Sequence, residues 1–85
     1  MSYSVVIKRS AQRDIAALHP RAGAAVDKRI TSLADDPRPP GATPLKGQWK
    51  GYWRVRSGDY RIIYLIDDRR RTVTVTDVGP REGIY

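Results

Sequence analysis

The chain has 85 residues, enough for one small domain, and carries 16 Lys and Arg against nine Asp and Glu, for a net charge of +7 and a pI near 10.3. It has no Cys and a single His, His19, which excludes a disulfide framework, a thiolate zinc site, a cysteine nucleophile and a metal triad built on two histidines. No apolar run nears the ~18 residues of a membrane span, and the apolar stretch within Met1–Lys8 is too short for a signal peptide, so the expectation is a soluble cytoplasmic protein whose arginine excess meets a polyanionic partner.

Residues 3–8 alternate weakly and carry Val5, Val6 and Ile7, which predicts a first strand. Ser10 offers an N-cap hydroxyl, and Ala11, Ile15 and Leu18 follow at helical spacing. His19-Pro20 breaks that helix, with His19 read as a cap or surface residue. Pro20 suits the first position of a second helix, because its missing N–H would be an orphan there. Ala22, Val26, Ile30 and Leu33 continue the periodicity, so the second helix is expected over about 20–35, completing an αα-hairpin.

Asp35 to Gly41, with three prolines, stops the helix and forms an irregular connection. A short extra strand near Leu45 is an open option. Tyr52 to Arg56 alternates, with Trp53 and Val55 on one side and Arg54 and Arg56 on the other. Ser57-Gly58-Asp59 is a turn. Tyr60 to Ile66 is apolar on both faces except at Arg61, the pattern of a central strand. Asp67 to Arg71 is a charged hairpin loop, and Thr72 to Val78 a Thr/Val strand. The order β-α-α-β-β-β describes a single α+β domain over 1–85, a small antiparallel sheet with the N-terminal helical hairpin packed on one face.

Arg54 and Arg56 project from the same face, with Arg61 close by on the next strand and Arg81 and Tyr85 just beyond the last one. If the last strand pairs beside Tyr60–Ile66, all five converge on one end of the sheet, with Lys46 as an added neighbour. Guanidinium donors match phosphate oxygens and keep their charge at physiological pH, so such a cluster would favour a phosphorane-like transition state. The alternative is that Arg54 and Arg56 only solubilise an exposed sheet face. Arg61 resists that alternative, because it interrupts an apolar stretch. Lys46, Lys50, Arg69, Arg70 and Arg71 are candidates for RNA contact, with a solvated hairpin tip as the plainer reading of the three arginines. No metal cluster and no cofactor motif is present.

The pattern Ser10-Ala11-x-x-Asp14-Ile15-x-x-Leu18, Leu45-Lys46-Gly47, Trp53 to Tyr64, then Val78-Gly79-x-Arg81-x-x-x-Tyr85 resembles the RelE/ParE superfamily of bacterial and archaeal toxins over nearly the whole chain. The resemblance implies the β-α-α-β-β-β fold and a type II toxin neutralised by a cognate antitoxin, with operator DNA bound only through that antitoxin. In the RelE branch it implies cleavage of mRNA in the ribosomal A site; in the ParE branch, inhibition of DNA gyrase without nuclease activity. Carried over by position, the RelE-type catalytic set falls on Arg54, Arg56, Arg61, Arg81 and Tyr85, which favours the RelE branch. Where that pattern is familiar with lysines, this chain has Arg54 and Arg56, which cannot exchange a proton near neutrality and are expected to act as electrostatic stabilisers. Members with a His/Glu catalytic pair are poor guides, because His19 is far from the cluster in sequence and Glu82 is expected to point away from Arg81. With no tuned acid or base, the free protein is expected to be a poor nuclease that depends on the ribosome.

Overall fold

The computed structural model describes residues 2–80, and the expectations placed on Arg81, Glu82 and Tyr85 lie outside the described residues. The elements are β1 (Ser4–Ile7), α1 (Arg9–Ala16), α2 (Pro20–Ser32), β2 (Thr43–Pro44), a 3₁₀ turn (Gly47–Trp49), β3 (Tyr52–Ser57), β4 (Tyr60–Asp67) and β5 (Thr72–Pro80). The strands form one sheet in the order β1-β5-β4-β3-β2. β2 to β5 are an antiparallel meander, as the sequence predicts, with the extra strand at Thr43–Pro44. β1 joins parallel to β5, Ser4 opposite Thr72, so the sheet is mixed. The helical hairpin between them makes this possible, since a parallel return needs a crossover of a dozen or more residues.

Helix α1 begins two residues earlier than Ser10 would set it. Its N-cap is Lys8, without a side-chain cap bond. The start is set by tertiary contacts: Lys8 N donates to Val75 O (2.9 Å), and Gln12 Nε2 donates back to Ile7 O (2.8 Å). His19 does cap α2, with Nδ1 accepting from Arg21 N at 3.2 Å and Pro20 at the first helical position. α2 ends at Ser32, earlier than 35, where Leu33 closes the last turn onto Ile30 O.

The helices cover one face of the sheet. Ala11, Val26, Ile30 and Leu33 pack against Val55, Ile62, Tyr64, Val73, Val75 and Val78. Full burial of each such Ile, Leu or Val stabilises the fold by about 1.5–3 kcal/mol relative to exposure. Val75 and Val78 are three apart, the wrong spacing for one face of a regular strand. A bulge between β4 and β5, where Ile63 pairs with Asp77 but Tyr64 with Val75, takes up Thr76 and turns both valines inward. The Thr76 hydroxyl is buried and donates to Ile63 O at 3.3 Å. Tyr64 is fully buried, and its hydroxyl donates to Pro37 O at 2.7 Å, anchoring the α2–β2 connection. Burial pushes the Tyr64 phenol up to about 12.

Candidate nucleic-acid interface

The site is set by the β3–β4 hairpin. Ser57 pairs with Tyr60 across the two-residue turn Gly58-Asp59. Gly58 has φ +58, the left-handed value that a type II′ turn requires at its first central residue. This turn fixes the register, so Arg56 stands directly opposite Arg61, and Arg54 opposite Ile63. Leu45 N donates to Tyr52 O, so the carbonyls of Tyr52, Arg54 and Arg56 face away from β4. Arg56–Arg61 is therefore a non-hydrogen-bonded pair, the closer kind, with Cα atoms about 4.5 Å apart. Arg54 follows along the same face about 7 Å from Arg56.

This is the face that the helices leave open. Arg56 is exposed, whereas Arg54 and Arg61 are half-buried and the Arg61 Nε is inaccessible to solvent. All three arginines are engaged by interactions within the chain. Two cations directly opposite on a sheet face repel by some tenths to ~1 kcal/mol, and a phosphate between them gains from both. The residue opposite Arg61 on β5 is Gly79, which itself contributes no side chain to that flank. Asp77 is brought to the same face, opposite Ile63, by the bulge. Sequence reasoning missed it; the signal was the three-residue spacing of Val75 and Val78, which regular alternation cannot satisfy.

Lys46, Lys50, Arg69, Arg70 and Arg71 are exposed and are not gathered around these arginines. Lys46 and Lys50 flank the 3₁₀ turn beside Tyr52, about 13 Å along β3 from Arg56. Arg69, Arg70 and Arg71 form the β4–β5 turn, about 20 Å along β4 from Arg61. Lys46 thus leaves the cluster in which the sequence placed it. A concavity of about 340 Å³ at the β3–β4 end, lined by His19, Ala22, Ala25, Ser57 and Tyr60, opens on the helix side and not on the arginine face. Among the described residues no group of His, Asp or Glu could hold a metal ion, and no helix is long and apolar enough to cross a membrane.

The far end of the sheet holds a second polar assembly. Arg38 donates two hydrogen bonds to Asp68 (3.1 and 2.7 Å), Tyr3 donates a third (2.6 Å), and the Arg38 guanidinium lies 5.4 Å from the Trp53 ring centre. The hydrogen bonds from Arg38 and then Tyr3 hold the Asp68 carboxyl down at about 2, and the Tyr3 phenol is raised by the same carboxylate.

Residues 5–85 match the family model described as the ParE toxin of the type II toxin–antitoxin system parDE. The chain is similar to toxin RelG of Mycobacterium tuberculosis, at 37% identity over 100% of this chain and 98% of the relative. Toxin RelE of the same organism is 33% identical over 98% of this chain and 86% of the relative. Among solved structures, the toxin–antitoxin complex RelBE2 of M. tuberculosis contains a chain that superposes with a TM-score of 0.86 and 34% identity, covering 95% of this chain and 100% of that one. The archaeal RelE–RelB complex of Pyrococcus horikoshii shares the fold, with a TM-score of 0.83 at 24% identity over 96% of this chain and 98% of that one. The arginine-bearing face, the helical hairpin behind it and these matches agree: the chain belongs to the RelE/ParE superfamily, the toxins of type II toxin–antitoxin systems.

Proposed function

We propose that this toxin is a ribosome-dependent endoribonuclease that cuts mRNA in the A site. The observation that carries the reading is the facing pair Arg56–Arg61 with Arg54 beside it, on the sheet face opposite the helices. In the proposed reaction the 2′-oxygen of a ribose attacks the adjacent phosphorus. The 2′-O–P bond forms, the P–O5′ bond breaks, the 2′-hydroxyl gives up its proton, and the 5′-oxygen leaves as a hydroxyl after taking one. The products are a 2′,3′-cyclic phosphate and a 5′-hydroxyl end.

Arg61 and Arg81 hold the scissile phosphate and stabilise the charge that builds on it. Arg54 and Arg56 add field without exchanging protons. Tyr85 stacks on a base or orients the 2′-hydroxyl. With no tuned acid or base in the set, water, the RNA or the ribosome carries the protons. The toxin is held inactive by a cognate antitoxin, a partner supported by the toxin–antitoxin complexes RelBE2 and RelE–RelB among its structural relatives.

The test is incubation with programmed ribosomes and, separately, with free mRNA, followed by mapping of the cut ends. Cuts confined to ribosome-bound mRNA, ending in cyclic phosphate and 5′-hydroxyl, are expected. Arg61→Ala should lower the rate about 10²–10³-fold, as loss of one transition-state donor does elsewhere. Arg81→Ala and Tyr85→Ala should each restore growth to cells expressing the protein. If all three variants remain as toxic as the wild type, the site assignment fails. The second reading, a ParE-like gyrase inhibitor, is favoured by the description of the matching family model. Intact mRNA together with SOS induction would establish it instead.

A further inference from the structure

The β4–β5 turn presents three consecutive arginines, and its backbone is tied on every side. Arg70 N donates to Asp67 Oδ1 (3.0 Å), Thr72 Oγ1 donates to Arg70 O (3.1 Å), and Ser4 N donates to Arg71 O (2.8 Å). Arg71 has φ +50, the left-handed region that glycine or asparagine occupies at lower cost, and among the described residues it is the one non-glycine in that region. Its guanidinium lies 5.6 Å from the centre of the Tyr3 ring, which gives that side chain a platform at the turn.

The nearby acids answer these charges only in part, since Asp68 feels Arg71 through space but is held by other partners. Asp68 is taken by Arg38 and Tyr3, and Asp67 accepts from a backbone N–H. Among the described residues the recorded ion pair joins Arg38 to Asp68 and does not involve Arg69, Arg70 or Arg71. Arg71 gains from the Tyr3 ring and the nearby Asp68 carboxylate, but that one contact does not call for three adjacent like charges, one of them on a disfavoured backbone. Such local cost points outward, to a ligand. The flanking residues Asp67, Asp68 and Thr72 are polar, so the turn lacks the apolar centre that a protein interface builds around. A repeating anion that takes planar, bidentate donors fits it better.

We propose that Arg69, Arg70 and Arg71 form a second, non-catalytic contact to an RNA phosphate backbone, made while Arg54, Arg56 and Arg61 hold another phosphate about 20 Å away. The proposal rests on the nuclease reading for its ligand class. The RNA is either ribosomal or the message itself.

The test compares the full-length wild type with Arg71→Asn alone and with the triple variant Arg69→Gln/Arg70→Gln/Arg71→Asn. Binding is measured to vacant ribosomes, to a single-stranded oligoribonucleotide and to polyglutamate, each over a range of salt. The triple variant should bind RNA at least about tenfold more weakly near 0.1 M salt, and the slope of log K against log salt should flatten by about two to three. Its melting midpoint should stay within about 5 °C of the wild type, and that of Arg71→Asn should not fall. Loss on ribosomes alone identifies ribosomal RNA; equal loss on the oligonucleotide identifies the message. Unchanged slopes on both RNAs, or a larger loss on polyglutamate than on RNA, overturn the assignment. A wild type that binds neither RNA overturns the nuclease reading as well, whereas normal RNA binding with undiminished cleavage by Arg61→Ala overturns only the catalytic site.

Discussion

Tyr64 shows how much a single side chain in this domain does. It sits in the middle of β4 with its ring in the core and its hydroxyl on Pro37 O, so one residue joins the sheet to the connection after α2. Tyr64→Phe keeps the ring and orphans that carbonyl. The expected cost is about 1 kcal/mol, or roughly 4–8 °C in melting midpoint for a domain of this size. The phenol also carries a pH signature. Its folded value of about 12 lies above the ordinary 10, so its share of stability is full below pH 10 and is lost as pH rises toward 12. Denaturant melts between pH 9 and 12 should fall less steeply for Tyr64→Phe than for the wild type. Tyr64 was legible as a core residue from the apolar run around it, but its carbonyl partner 27 residues away was not, because nothing local in a sequence marks an acceptor in a distant loop.

At the scale of elements, the hairpin carrying Arg56 and Arg61 was the most legible part of the site. A two-residue Gly-Asp turn leaves one register, and the register decides which side chains face each other. The last strand was legible as a strand but not in its facing, because the bulge at Thr76 is a tertiary answer to a spacing that alternation alone would spoil. Deleting Thr76 removes the extra residue and leaves Val73, Val75 and Val78 all inward, so that variant should still melt cooperatively by circular dichroism. Deleting Thr74 instead forces Val73 or Val75 onto the open face or Thr76 into the core, at a cost of at least ~3 kcal/mol, and should leave little folded protein. The start of α1 was misread at Ser10 for a related reason: hydrogen bonds from Lys8 and Gln12 to the first strand and its neighbour outweigh a weak capping preference.

At the scale of the whole molecule, the Arg38–Asp68–Tyr3 assembly ties the N-terminal segment, the α2–β2 connection and the β4–β5 turn into one unit. Its members are 30 and 65 residues apart, so no periodicity could have announced it. Asp68 at about 2 lies below its ordinary 3.8, so its stabilisation is complete above about pH 4 and is lost as pH falls toward 2. Asp68→Asn should therefore be less stable at neutral pH and show a flatter loss between pH 4 and 2, read from melting midpoints across that range. The composition points to an anionic partner and says nothing of layout. The structure sets two groups of bases at opposite ends of one sheet, with Arg56 and Arg61 at one and Arg69 to Arg71 at the other.

The parallel seat of β1 against β5 sets an order of events in time. Ser4 pairs with Thr72 and Ile7 with Val75, so the first segment made waits for one made far later. At the ~5–20 residues per second of protein synthesis, that wait is several seconds, and long-range pairing of this kind is among the slower steps of folding. Until it closes, β5 has no neighbour on its outer side and α1 has no strand to rest on. A growing chain of this toxin thus cannot complete its own fold while its last strand is still unmade, and the arginine face on β3 and β4, once made, lacks its finished support until β5 follows.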